Sequence, residues 1–592
     1  MIDDVPQESR GGILKALIAL FFFGIIAFGV IMTLQTWKRL DRVQALSESV
    51  KLHLSQAAKE FVPENFSKAK TQLETAKREL DEIVVLLEKS SIVRYVPFWK
   101  KRYETLLSFS IIGQGFMQDG VELANIIGSI TEPILLSDGT IKITKISPAK
   151  KRIILQRTLQ ATPRLNGIRA HLVLTRTLLQ NVDDSVLDPA LQDIKRDMLQ
   201  KSENVEYTLG QILPILEVLP SFLAYNQPKT YRLLLQDPRE LQPTGGRVIM
   251  SGTLTIHDAT IVALHTSLED GDAAGEGVSL PTDFSEVGRS ISGDGVIAVT
   301  PEFFTSLLRL TGSIRVGNTI FSSENVFDQF DSLKNADAVA SLTRMIIDKV
   351  NEMPLQKIYD VTKVVEARLN EKHILLWFAD TRLQEFVQKN NWTGEMRSSD
   401  GDFLMLVDTN TQSKKTDPFI ERSISYDVRQ DVLDDLYVTL EILYRNNATI
   451  TETTTRYKDM VRLYVPKGST LLAARGTRAS QDSREEGTIS IHDEKGHTVF
   501  SAFTIVEPFQ NQKLRLEYRL PKRLSRTMLA NKEYSLLVQK QPGSKSSITA
   551  TFFFNKPVKH FTDGGFFTNR AAGVGVQFVS DLRVDRNFAV GF

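Results

Sequence analysis

KTYRLLLQDPRELQPTGGR, residues 229–247, is where the chain changes character. Tyr231 to Leu235 is a short apolar run of the buried-strand type. A polar, glycine-containing loop follows from Gln236 to Arg247. Beyond it, GTLTIHD (252–258) and TIVALHT (260–266) read as strands joined by a tight turn, and 271–277 as a flexible loop. Asp294 to Val299 is a further buried-type strand. Thr300-Pro301 then opens a helix, with Thr at the N-cap and Pro at the first helical position. It runs through Phe303, Phe304, Leu307, Leu308 and Leu310 to end near Gly312. A helical stretch near 335–370, a strand at Ile374–Phe378 and a helix from about Thr381 complete a central α/β segment over 225–422.

On the N-terminal side the period changes from two to about 3.6. Phe66, Ala69, Leu73, Ala76, Leu80, Ile83 and Leu87 form a heptad seam, and Leu40, Val43, Leu46, Val50, Leu54, Ala57 and Phe61 an earlier stripe. Pro63 separates the two, which predicts a helical hairpin. Further helices are expected at about 100–131, 148–181 and 187–218. The segment 35–224 reads as a helical bundle or stalk, its seams closing within the chain or between two copies.

On the C-terminal side, from about 423 to 592, period-two alternation dominates. LYVTLEILY (436–444), Val461–Val465, QKLRLEYRL (512–520), EYSLLVQ (533–539) and Thr549–Phe554 are the clearest strands. They predict an antiparallel β-sandwich-like domain.

Ala16 to Leu34 carries no charge and would span about 29 Å as a helix, close to a bilayer's hydrocarbon thickness. Lys15 bounds it on one side and Trp37, Lys38 and Arg39 on the other, as suits a membrane interface. The expected fold class is therefore multidomain α+β: an N-terminal tail (1–15), a transmembrane helix (16–34) in the lipid bilayer, the helical segment, the central α/β domain and the β-rich domain. A signal peptide cut after Gly29 is the competing reading. Arg10 and Lys15 precede the run, whereas Lys38, Arg39, Arg42 and Lys51 follow it. That count alone favours a cytoplasmic body.

Composition excludes several chemistries. The 592 residues hold no cysteine, which removes disulfides, thiolate nucleophiles and iron–sulfur ligation. Lys+Arg 72 against Asp+Glu 71 leaves a net charge of +1, with no basic field to attract nucleic acid. Walker, dinucleotide-binding, Gly-x-Ser-x-Gly and His-Glu-x-x-His patterns are absent.

The loop at 236–247 is the leading candidate site. Asp237, Arg239, Glu240, Thr244 and Arg247 gather at a strand end, where α/β folds place ligands, and Gly245-Gly246 would expose backbone N–H groups to an anion. The alternative is an ordinary β-connection, with Asp and Arg paired to each other and glycines supplying turn geometry. Asp283 and Asp294 are weaker candidates for a metal, against roles as a helix cap and a turn residue. His492 and His497 flank a turn at 493–496 but lack a third ligand.

LLLQDPRELQPTGG (233–246), DGVIAVTPEFFTSLLRLTG (294–312), KHILLWFADTRLQ (372–384), RLYVPKGSTLL (462–472) and SDLRVDRNFAV (580–590) resemble the bacterial domain-of-unknown-function family 4012. That resemblance implies a membrane-anchored, extracytoplasmic envelope protein with residues 1–15 in the cytoplasm, serving as a binding or structural module for an envelope polymer or protein partner. The family usually carries an aromatic where Arg247 stands. A more distant resemblance, through Asp237-x-Arg239 and 294–316, is to the LytR–CpsA–Psr family, which transfers glycopolymers from polyprenyl-pyrophosphate carriers. It implies Asp237, Arg239 and Arg247 as catalytic residues, with arginines on a pyrophosphate and carboxylates on Mg2+. That family's Arg-Ser-Asp is Arg247-Val248-Ile249 here, and Ser267-Leu268-Glu269-Asp270 stands near the expected Pro-Arg-Asp. Outside this alternative no cofactor is expected.

Overall fold

The computed structural model describes residues 38–592 apart from 40, 58, 60–65, 91–96, 135–145, 188, 269–283, 333–335, 413, 484 and 571–572. The chain divides into a unit ending at Pro220 and another from Ser221 to Phe592.

The first unit is helical. Its helices are α1 (41–57), α2 (Phe66–Glu88), α3 (Pro97–Thr131), α4 (Pro148–Gln180) and α5 (Pro189–Phe222), the last crossing the unit boundary. Ser147 caps α4 by accepting a hydrogen bond from Lys150 N, and Pro148 takes the first turn, where its missing N–H costs nothing. The seam residues Ala76, Ile83 and Leu87 pack with Leu46, Val50, Tyr103 and Met117, so α2 is covered from within the chain by α1 and α3.

The second unit begins with β1 (Lys229–Asp237), β2 (Arg247–His257), β3 (Thr260–Leu268), α6 (Phe284–Ser290), β4 (Gly295–Val299), α7 (Pro301–Thr311), β5 (Ile314–Val316) and β6 (Thr319–Phe321). Then come α8 (Val326–Asp331), α9 (Asp337–Asn351), α10 (Leu355–Asn370), β7 (Ile374–Phe378) and α11 (Thr381–Lys389). Five strands form one mixed sheet in the order β3-β2-β1-β4-β7, with β1 and β4 parallel. Alternation along β1 sends Leu234 to one face, with Phe284 of α6, and Leu235 to the other, with Phe304, Leu307 and Leu342 of α7 and α9. Helices therefore cover both faces. Asp258 (φ 48) and Ala259 (φ 57) close the β2–β3 hairpin with the doubly left-handed turn that suits strand twist.

The all-β part begins at Asp402, before the expected 423. Its strands are β8 (Asp402–Asn410), β9 (Ile420–Gln430), β10 (Leu436–Asn446), β11 (Tyr457–Pro466), β12 (Thr470–Arg475), β13 (Ser490–Glu494), β14 (His497–Val506) and β15 (Asn511–Arg519). After the helix α12 (Lys522–Asn531) follow β16 (Glu533–Gln539), β17 (Ser547–Phe553), β18 (His560–Phe561), β19 (Gly565–Arg570), β20 (Gly573–Asp581) and β21 (Arg586–Gly591). Two seven-stranded sheets result, β12-β15-β10-β9-β17-β20-β19 and β13-β14-β11-β8-β16-β21-β18. Their inner faces share one core that includes Leu404, Tyr426, Leu440, Leu463, Leu516 and Phe552. The sandwich is not purely antiparallel: β8–β16 and β9–β17 pair parallel.

The expected membrane helix requires correction as part of the fold. Among the described residues no helix is long and apolar enough to cross a membrane. The long helices carry apolar stripes interrupted by charge, as in α3 with Asp119 and Glu122. Ala16–Leu34, on which the expectation of a single-pass membrane protein rested, lies outside the described residues.

Candidate functional site

The loop from Gln236 to Arg247 joins two adjacent antiparallel strands, with Asp237 opposite Arg247 and an irregularity in register after Leu235. Gly246 sits at φ 147, and a Cβ there would lie 2.3 Å from the Asp237 carbonyl oxygen, so only glycine lets the chain fold back this closely.

Asp237 is fully buried, and its carboxylate accepts from Arg239 N (3.0 Å), Nε (2.9 Å) and Nη2 (2.6 Å). The same guanidinium donates Nη1 and Nη2 to Asp331 at the end of α8, at 2.9 and 2.6 Å. Lys415 Nζ reaches Asp331 at 2.5 Å. Burial opposes the charge on Arg239, but its hydrogen bonds to Asp237 and Asp331 outweigh it and hold the guanidinium above its ordinary pKa. Burial likewise pushes Asp331 up, but Arg239 and Lys415 bring it below the ordinary carboxylate range.

The other loop residues are also engaged within the chain. Arg247 donates to Glu240 at 3.0 Å, and Thr244 Oγ1 accepts from Gln236. Leu241, 1% exposed, donates its N–H to Asp417 and accepts from Asn410 N through its carbonyl. Gln242 bonds Asn410 O and receives Gln541 Nε2. The loop is thus a plug between the α/β sheet and the sandwich. Arg239 and Arg247 both lie in it: Arg239 is closed by Asp237 and Asp331, whereas Arg247, partly exposed, makes one hydrogen bond to Glu240.

Asp417 leads into a buried polar cluster with no motif behind it. Arg422 donates to Asp408 (2.5 Å), Asp417 (2.7 Å) and the Tyr457 hydroxyl (2.8 Å), while Tyr444 donates to Asp408 (2.9 Å). Asp459 accepts from Thr409 N, and its other oxygen has no partner among the described residues. Burial first, and then the charge on Asp408, push the Asp459 carboxyl well up and favour its protonated form. The available signal was parity. Asp402, Asp408 and Asn410 share the face of β8 that puts Leu404 and Leu406 into the core.

A second junction centres on Lys372, which follows α10 with φ 60. Its buried ammonium donates to Lys540 O (2.9 Å) and Asp585 (2.7 Å), and Arg397 approaches the same carboxylate at 3.3 Å. Burial and the neighbouring Lys372 draw Lys540 down to about 7. Burial, then Lys540 and Arg368, draw His373 down to about 3.

Asp283 lies outside the described residues. Asp294 accepts from Thr230 N at 2.7 Å, which ties the start of β4 to β1. His492 is half exposed beside Glu494, whereas His497 is buried against the Phe403 ring at 4.2 Å. Among the described residues no group of three His, Asp or Glu side chains is placed to hold a metal.

No family model matches the chain, and no curated protein matches it. Among solved structures, an M1 zinc metallopeptidase from Deinococcus radiodurans is similar over 32% of this chain and 42% of that one, at 12% identity and a TM-score of 0.17. A likeness of that size carries no argument.

Proposed function

We propose that the protein is a non-enzymatic binding or structural module of the bacterial cell envelope that engages a polymer or protein partner. One observation supports the non-enzymatic part: of the two arginines best suited to a pyrophosphate, Arg239 is closed by Asp237 and Asp331, and Arg247 is paired with Glu240. A buried bidentate pair is expensive to open, so a diphosphate would have to displace carboxylates already held at hydrogen-bond distance. Two β-sheets of seven strands give a rigid frame from which loops can present a surface. The envelope placement rests on the sequence resemblance.

The test uses the purified full chain. It is expected to retain an envelope polysaccharide or protein from fractionated envelopes, and to leave polyprenyl-pyrophosphate-linked glycopolymer unchanged with Mg2+ present. Turnover that disappears in a folded Arg239→Gln variant would replace this reading with the phosphotransferase.

A further inference from the structure

One end of the sandwich carries a cleft of about 800 Å³ between the loop after β10 and the turn joining β14 to β15. Gln510 N donates to Glu507 O across that turn, with Pro508 second and Phe509 third. Phe509 has φ 59. Proline at the second position and positive φ at the third mark a turn whose third residue is ordinarily glycine or asparagine. A bulky aromatic there is strained, and packing does not compensate, because Phe509 is 72% exposed.

The turn is held firmly. Asn446, fully buried, accepts from Phe509 N through its carbonyl (2.7 Å) and donates its N–H to Gln510 O (3.0 Å). Its side chain donates to Val506 O (3.0 Å) and accepts from Ala448 N (2.9 Å). Ile450, 74% exposed, lines the same cleft. Phe509 is thus presented to solvent on backbone fixed by a buried asparagine, with Ile450 exposed in the same cleft.

Ile505, Val506 and Pro508 add apolar lining, and the remaining lining residues are polar or charged. Arg456 stands 3.4 Å from Glu507, and Asp482 pairs with Lys458. The Gln510 side chain has no hydrogen-bond partner among the described residues, and Asn511 accepts from Arg445.

We propose that this cleft binds a neutral β-linked glycan, one sugar ring stacking on Phe509. The inference rests on the binding-module reading and names its polymer. A β-linked pyranose offers an apolar C–H face ringed by hydroxyls. The C–H face suits the negative face of an aromatic ring, and the hydroxyls suit amide and guanidinium groups at the rim. Among the lining residues Arg456 and Arg478 are matched by Glu507 and Asp482, so the lining itself has no cationic excess to select a polyanion.

The test titrates the full chain with chitohexaose and with cellohexaose by calorimetry. At least one is expected to bind saturably, and Phe509→Gly to weaken it roughly tenfold or more. The same substitution is expected to keep or raise the melting temperature, because glycine relieves the left-handed strain; Phe509→Asn serves as a second variant of the same kind. If neither hexaose binds, the glycan assignment is overturned, and retention of an envelope protein would leave the binding-module reading standing. Undiminished binding by both variants overturns the site alone. A marked fall in melting temperature with binding intact shows that Phe509 is a structural residue.

Discussion

Arg239 and Asp331, ninety-two positions apart, meet through two parallel hydrogen bonds at 2.9 and 2.6 Å, while the same guanidinium also holds the buried Asp237. One side chain thereby ties the first strand of the mixed sheet to α8, and Lys415 extends the tie into the sandwich.

Removing that guanidinium should be costly. Arg239→Ala leaves Asp237 buried without its cation, and breaking a buried pair from one side costs roughly 3–5 kcal/mol. Urea unfolding of the full chain should show this as a lower midpoint for the transition of the second unit. Arg239→Lys should recover only part of the loss, because an ammonium lacks the planar fork that serves two carboxylates at once. A change below about 1 kcal/mol in the alanine variant would contradict the assigned role.

Two glycines separate close packing from backbone conformation. Gly246→Ala drives a Cβ into the Asp237 carbonyl and is expected to cost roughly 3 kcal/mol or more. Gly312, with φ 76, has nothing within 4 Å of its ideal Cβ. Its alanine variant should cost less, about 1–3 kcal/mol, the penalty of a backbone conformation (φ 76, ψ 175) open mainly to glycine. Equal losses in thermal or urea unfolding would refute the distinction.

The core aspartate of β8 sets a pH dependence. Burial pushes Asp402 up to about 6, although Tyr426 and Tyr534 donate to it. The folded state therefore binds the proton more tightly than the unfolded one. Its contribution is fully present below the ordinary carboxylate pKa and is lost as pH rises towards about 6, by about 3 kcal/mol in all. Asp402→Asn should remove this component. The stability difference between variant and wild type should shift in favour of the variant between about pH 4 and 6 and level off above. A pH-independent difference would show that Asp402 does not change its proton affinity on folding.

At the second junction, Lys372→Met and Asp585→Leu should each destabilise by leaving the other charge buried. The double variant should lose less than the two losses added. Coupling of roughly 1–3 kcal/mol is expected in a double-mutant cycle, and additivity would mean that the pair at 2.7 Å contributes no specific interaction.

Elements with a strong local period were legible in the sequence. The helix over Pro301–Thr311 ends where Gly312 takes a positive φ, and along β10 every second residue is buried while those between are half-buried or exposed. β8 was missed, and the cause is physical. It lies fourth of seven strands and is buried on both faces, so Phe403 to Val407 form a continuous apolar run without alternation. The loop charges were seen, and so was the possibility that Asp237 and Arg239 pair. Asp331 as their third member had no local signal, because nothing between residues 239 and 331 encodes that approach.

The sequence by itself determined the positions of most helices, of about half the strands and the absence of thiol chemistry, since these follow from side-chain period, turn residues and composition along a short window. Tertiary structure decided the rest: the parallel pairing of β8 with β16, the closure of Arg239 by Asp331, the burial of Asp402 and Asp408, and the exposure of Phe509 on a strained turn. Each of these depends on groups distant in the chain coming within a few ångströms, and that proximity is a property of the packed core rather than of any local pattern.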